Sequence, residues 1–164
     1  MTRAQPRKTS ASPRRIELDA QPGHRIRRLQ QVAVAIFMQE AAASGVTPVQ
    51  FAVLLTLSSQ PGIDQRTLAR AVSFDTSTIG GVIDRLEARG LLARSLSPED
   101  RRVRLLHLTP DGEALLAEVT PSVQRTQERI LEALPAAQRK EFMRMMQVVI
   151  THHAELGEAD VAGL

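Results

Sequence analysis

No cysteine, tryptophan or tyrosine occurs anywhere in the chain, and phenylalanine appears only as Phe37, Phe51, Phe74 and Phe142. Without cysteine there are no disulfides, thiolate zinc centres or cysteine nucleophiles, and the chain fits a reducing compartment. With so few rings, none inside a basic cluster, there is no platform for stacking unpaired bases, which turns the reading away from RNA and single strands. No run of about 18 apolar residues is present, and the opening MTRAQPRKTSASPRR is basic without an apolar core. Neither a membrane span nor a secretory leader is expected, and a cytoplasmic location follows. Lysine is scarce as well: of 21 basic residues only Lys8 and Lys140 are not arginine. Arginine is the cation suited to bidentate and minor-groove contacts.

The formal net charge is only +3 although the pI is about 10.5. With no Cys or Tyr, almost nothing titrates between the histidines and the arginines, so the pI overstates the field at neutral pH. Its distribution tells more. Residues 1–104 hold 16 Lys+Arg against 9 Asp+Glu, a net of +7, whereas residues 105–164 hold 5 against 9, a net of −4. A basic front beside an acidic back suggests that one part meets a polyanion. At 164 residues and 43% hydrophobic content, the chain can bury roughly two thirds of its unfolded surface as one unit.

Residues 1–21, rich in Arg, Ser, Pro and Gln, are expected to form a disordered basic arm, most simply a solubilising tail, with DNA tracking the alternative because Arg14 and Arg15 lie close to the fold. From His24 to Ala43, Ile26, Leu29, Val32, Ala33, Ile36 and Phe37 recur at helical spacing, and Gly45 stops the helix. TPVQFAVLLTLSSQPG starts a second helix with Thr47 as N-cap and Pro48 at the first position. DQRTLARAV gives a short third helix capped by Asp64. After a turn at Ser73-Phe74, Asp75 caps a fourth helix that runs to Arg89 and ends at Gly90. That is helix-turn-helix syntax. LLARSLS and VRLLHL, parted by PEDRR, read as a β-hairpin, or wing. A fifth helix opens at Thr109-Pro110, with Asp111 and Glu113 in its first turn, and extends to about Leu134. A sixth runs from Pro135 to about His153.

The expected class is therefore mainly α with a small β-hairpin wing: a winged helix-turn-helix over 46–109 with a helical dimerisation region over 22–45 and 110–158. The wide apolar faces of the first, fifth and sixth helices exceed what a thin helix-turn-helix module covers, so a second copy is the economical cover.

STIGGVIDRLEARG places Ile79, Val82, Ile83 and Leu86 on one face of the fourth helix. Ser77, Gly81 and Ala88 fall opposite, with Thr78 and Arg85 on one flank and Gly80 on the other. Each helical glycine costs about 0.5–1 kcal/mol against alanine, so the pair needs a reason. A recognition helix lying deep in a major groove supplies one, because bulk is unwelcome where duplex and backbone meet. Close packing of Gly80 against another helix is the competing explanation.

STIGGVIDRLEARGLLAR followed by SPEDRRVRLLHLTPDG resembles the MarR family of bacterial transcriptional regulators. The hallmark is a D-x-R wing, a strand and an L-T-x-x-G helix start, found here as Asp100, Arg102, Leu108, Thr109 and Gly112, with matching helix order over about 24–155. FDTSTIGGVIDRLE resembles the branch that governs catabolism of aromatic or heteroaromatic acids, including nicotinate-type compounds. The resemblance implies a homodimeric, sequence-specific regulator of a pseudo-palindromic double-stranded operator, acting as a repressor and released by a small aromatic acid effector. Many relatives carry Thr-Arg where this chain has Gly80-Gly81, so a base-reading arginine is absent. Readout then falls to Thr76, Ser77, Thr78, Gly81 and Arg85, or to the wing and DNA shape. In the wing, Asp100 is expected to pair with an arginine and Arg101 or Arg102 to enter the minor groove. Arg94 and Arg104 are expected on phosphates.

His24, Arg25 and Arg28 lie near where relatives hold an effector, and a cation there could take a carboxylate. Surface charge is the plainer account of them. His152-His153 stand about 100° apart on a helix without accompanying carboxylates, so no metal is expected. His107 is most simply structural. No nucleophile elbow, phosphate loop or carboxylate pair is present, so neither an enzyme nor a cofactor is expected. A winged-helix protein-interaction module without sequence-specific DNA binding is the alternative, though it has no need of so cationic a wing.

Overall fold

The structure, a computed structural model, describes residues 17–153. Residues 1–16 of the expected basic arm, with Arg14 and Arg15, and residues 154–158 of the helical region lie outside the described residues. Within the segment expected to be disordered, Leu18–Ala20 instead form a 3-10 turn. Asp19 accounts for it: its carbonyl accepts from Arg25 Nε at 2.7 Å and its carboxylate faces His24 at 3.3 Å. Helix α1 follows, Pro22–Glu40, with proline in its first turn. It ends three residues before the expected Ala43, giving way to a 3-10 turn Ala42–Ser44 and to Gly45 at φ 62°.

Helix α2, Pro48–Ser59, carries a full capping box, in which Gln50 N–H donates to Thr47 Oγ1 and Thr47 N–H donates to Gln50 Oε1. A two-residue strand β1, Ile63–Asp64, precedes α3, Gln65–Ala71, and Asp64 caps α3 through the Thr67 amide at 2.9 Å. Ser73 turns the chain at φ 57° into α4, Thr76–Ala88. The wing consists of β2, Leu92–Leu96, and β3, Arg104–Leu108, antiparallel from Leu92↔Leu108 to Leu96↔Arg104. Periodicity had no means of finding β1, which is too short to show alternation; it pairs with β3 through Ile63↔Leu106, making the sheet β1-β3-β2. Helix α5, Pro110–Ile130, stops short of the expected Leu134, and α6 spans Ala136–His152.

Two apolar clusters hold these elements. The larger joins Leu54 and Leu57 of α2, Leu68 of α3, Ile79, Val82, Ile83 and Leu86 of α4, and Leu92 and Leu106 of the sheet. The smaller joins Phe37 of α1 to Val119 and Val123 of α5. Phe51 and Leu115 pack against both. On the α1–α5 seam, Glu40 accepts from Arg129 Nη1 at 2.6 Å and Arg125 Nε at 3.0 Å. These guanidiniums, Arg129 foremost, hold the Glu40 carboxyl below its ordinary range. By contrast α6 has no buried residue. Its Met145, Val148, Val149 and Ile150, with Ile26, Val32 and Met38 of α1, remain exposed.

The start of α5 is the tightest joint. Thr109 Oγ1 donates to the Gly90 carbonyl at 2.6 Å and accepts from Gly112 N–H at 3.1 Å. A Cβ on Gly112 would stand 2.0 Å from the Leu91 carbonyl oxygen. Backbone cannot yield as a side-chain end does. Gly112→Ala is therefore expected to destabilise the fold by about 2–3 kcal/mol, read as a lowered urea midpoint.

Candidate nucleic-acid interface

Helix α4 turns Ile79, Val82, Ile83 and Leu86 inward, all buried, while Thr76, Ser77, Thr78 and Arg85 are exposed and Gly81 is half-buried. Its glycines have separate causes. A Cβ on Gly80 would meet Gln65 Nε2 at 3.0 Å, and that amide donates to the Thr76 carbonyl at 3.0 Å. Gly80 thus lets α3 lean on α4, as the packing explanation held. A Cβ on Gly81 would meet only Arg85 Nη1 at 3.5 Å, an ordinary contact. Nothing among the described residues requires a glycine there.

The amino end of α4 is closed by Asp75. Its Oδ1 accepts from Ser77 Oγ at 2.5 Å and Thr78 N–H at 2.7 Å, and its Oδ2 accepts from Thr78 Oγ1 at 2.5 Å. The two hydroxyls, Ser77 first, hold this carboxyl far below the usual carboxylate range.

The wing differs from expectation at two residues. Arg94 is not free for a phosphate: its guanidinium donates to Asp84 Oδ1 at 2.5 Å and to Glu87 Oε2, tying β2 to α4. Two carboxylates one turn apart on α4 reach it before any outside anion could. Asp100 does not bind an arginine side chain among the described residues. Its Oδ1 accepts from the Arg102 backbone N–H at 2.9 Å, because a short acidic side chain in a turn reaches the amide two residues on. Ser97, buried where β2 passes into the wing turn, accepts from the Glu99 and Asp100 amides and was missed by the sequence reading. A serine ahead of Pro-Glu-Asp is the turn signal that could have found it. Arg101, Arg102 and Arg104 are exposed, and His107 bonds Ser95 across the strands at 3.1 Å.

His24, Arg25 and Arg28 do stand together, gathered by Asp19, with Arg28 Nη1 at 4.0 Å from its carboxylate. They line no cavity among those described. An apolar cleft of about 640 Å³ lies elsewhere, between Ile26, Leu29, Ile130, Phe142 and Met146. His152 and His153 face each other edge-on, and no group of three metal-type ligands occurs among the described residues. No helix among them is long and apolar enough to cross a membrane.

The arrangement has known counterparts. The MarR family model matches residues 46–103. The HTH-type transcriptional repressor NicR of Pseudomonas putida is 32% identical over 86% of this chain and 89% of its own. BpsR of Bordetella bronchiseptica, whose DNA binding is regulated by 6-hydroxynicotinic acid, is 37% identical with a TM-score of 0.78, over 82% of this chain and 96% of that one. CouR of Rhodococcus jostii, bound to a 23-mer DNA duplex, is 32% identical with a TM-score of 0.76, over 85% and 99%.

If the fold has no use for the missing side chain at 81, alanine should help it. Gly81→Ala is expected to raise stability by about 0.5–1 kcal/mol in urea unfolding. A loss of stability would place the need for glycine inside the chain instead.

Proposed function

The chain belongs to the MarR family, and we propose that it is a homodimeric transcriptional repressor that binds a pseudo-palindromic DNA duplex and is released by a small aromatic or heteroaromatic acid of nicotinate type. One observation carries the DNA reading. A helix-turn-helix of the fold that CouR uses on duplex DNA carries an outer α4 row at Ser77 and Gly81 and is followed by a wing with three exposed arginines, Arg101, Arg102 and Arg104. Thr76, Thr78 and Arg85 flank that row on α4. Major-groove reading by α4 and minor-groove entry by Arg101 or Arg102 are its natural uses.

Homodimer formation draws on the exposed apolar faces of α1 and α6, which leave the cleft between them open. A monomer rarely leaves such area to water. Residues 22–45 and 110–158 would then build the dimer and 46–109 the DNA module, with half-sites about 34–36 Å apart. The effector class rests on the likeness to NicR and BpsR. His24, Arg25 and Arg28 remain its candidate cations, provided that the acid displaces Asp19.

Anisotropy of a labelled duplex from upstream of the protein's own gene tests this, against a scrambled duplex and with nicotinate-type and benzoate-type acids added. Selective binding that falls with one acid is the expected result. Equal, salt-sensitive binding to both duplexes would sink the specific-regulator reading at that site, and no binding to either would favour a protein-interaction module.

The two kinds of wing arginine separate in a salt series. Arg102→Ala is expected to flatten the slope of log affinity against log salt by about 1. Arg94→Ala is expected to weaken binding with the slope unchanged, since Arg94 braces α4 rather than meeting a phosphate.

A further inference from the structure

The hydrogen bonds at the start of α4 fix more than a helix cap. Serine and threonine hydroxyls ordinarily rotate to donate or accept as a partner requires. Those of Ser77 and Thr78 have no such freedom, because each stands 2.5 Å from an Asp75 carboxylate oxygen that is a pure acceptor. Both protons are committed inward. What these hydroxyls turn outward is lone pairs. The Thr78 amide, which could have met a phosphate, is taken by the same carboxylate at 2.7 Å. The anion occupies the place at the helix start that a phosphate would otherwise favour.

The rest of the outer row adds no donor. Gly81 and Ala88 have none to give, and the Asp84 carboxylate is held by Arg94. The Arg85 guanidinium lies on the flank beside Gly81. A base edge meeting the Ser77 and Thr78 side chains therefore meets acceptors, whereas the exposed Thr76 hydroxyl and the Arg85 guanidinium to either side can donate. Only two major-groove groups can answer them, the N6 amino group of adenine and the N4 amino group of cytosine. Guanine and thymine present oxygen and nitrogen acceptors at the corresponding positions, and acceptor against acceptor leaves both unsatisfied.

From this, and resting on the DNA-binding reading above, we infer that the first turn of α4 selects an amino-bearing base, adenine or cytosine, through Ser77 and Thr78. Asp75 is the positioning residue that sets the polarity of their hydroxyls. The selectivity belongs to the Asp75-Ser77-Thr78 unit, and removing the anion frees the hydroxyls to donate to guanine or thymine.

The test is duplex selection with the full-length protein, followed by analogue substitution in the selected site. Purine 2′-deoxyriboside replaces each adenine and 2-pyrimidinone deoxyriboside each cytosine, so that only the amino group is lost. Parent protein is expected to lose about tenfold or more in affinity at one step of each half-site. Ser77→Ala/Thr78→Val is expected to abolish that sensitivity. Asp75→Asn keeps a good capping side chain and is expected to keep selective binding while admitting guanine or thymine at the same step, a change that mere loosening of the helix would not produce.

Selective binding with no amino-group sensitivity, or an unchanged base preference in either variant, overturns the inference and leaves the regulator reading standing. Absence of any selected sequence for the parent protein overturns both.

Discussion

The Leu91 carbonyl is where three parts of the molecule meet. Leu91 follows the turn that ends α4, its N–H returning to the Leu86 carbonyl at 3.0 Å, and its own carbonyl accepts from Thr109 N–H at 3.2 Å. Gly112 of α5 lies against the same oxygen, leaving no room for a methyl group. The end of α4, the first residue of the wing and the start of α5 are thus one joint. A helix held by its first turn at such close range cannot rotate alone. Any tilt of α5 carries α4 and the sheet with it.

The wing is tied to α4 a second time through Arg94. Asp84 and Glu87 stand on the helix taken to enter the groove, where two free carboxylates would repel phosphates. Arg94 answers both from the neighbouring strand. An arginine counted as basic surface in the sequence is therefore spent internally. The field that the wing offers to a polyanion comes from Arg101, Arg102 and Arg104. Local charge counts overstate an interface wherever a cation lies within reach of carboxylates on the next element.

How much could be read beforehand follows from the range of each interaction. Caps at Thr47, Asp64, Asp75 and Thr109 were legible because a cap is a contact over three residues, and all four accept the expected amide. The helical faces were legible from period alone. Strand β1 was not, since two residues carry no period and its pairing with Leu106 spans over forty positions. The partners of Arg94, the Gln65 beneath Gly80 and the Glu40 pairs with Arg125 and Arg129 were hidden for the same reason. Each is a contact between elements, and one sequence records the residues without their adjacency. The exposure of Thr76, Ser77, Thr78 and Arg85 followed from the helical period; the groups they bond did not. Ser77 and Thr78 looked like free hydroxyls until the carboxylate beside them was placed.

These joints also bound how an effector could act. A ligand shifts DNA affinity only by its own difference in affinity between two arrangements, about 1.4 kcal/mol for each tenfold change. Within one chain the Glu40 cluster fastens α1 to α5 and the Leu91 joint fastens α5 to α4, so the single chain offers few alternative arrangements of its reading head. In the proposed dimer, the contacts left to vary are those between copies, built from α1 and α6 side chains such as Ile26, Val32, Val149 and Ile150. Apolar contacts of this kind are non-directional and permit more than one register at small cost. A rigid arm on a slippery hinge moves two recognition helices apart without deforming either. On the proposed dimer reading, the place for control would be the seam between copies, where an effector need only favour one arrangement over another.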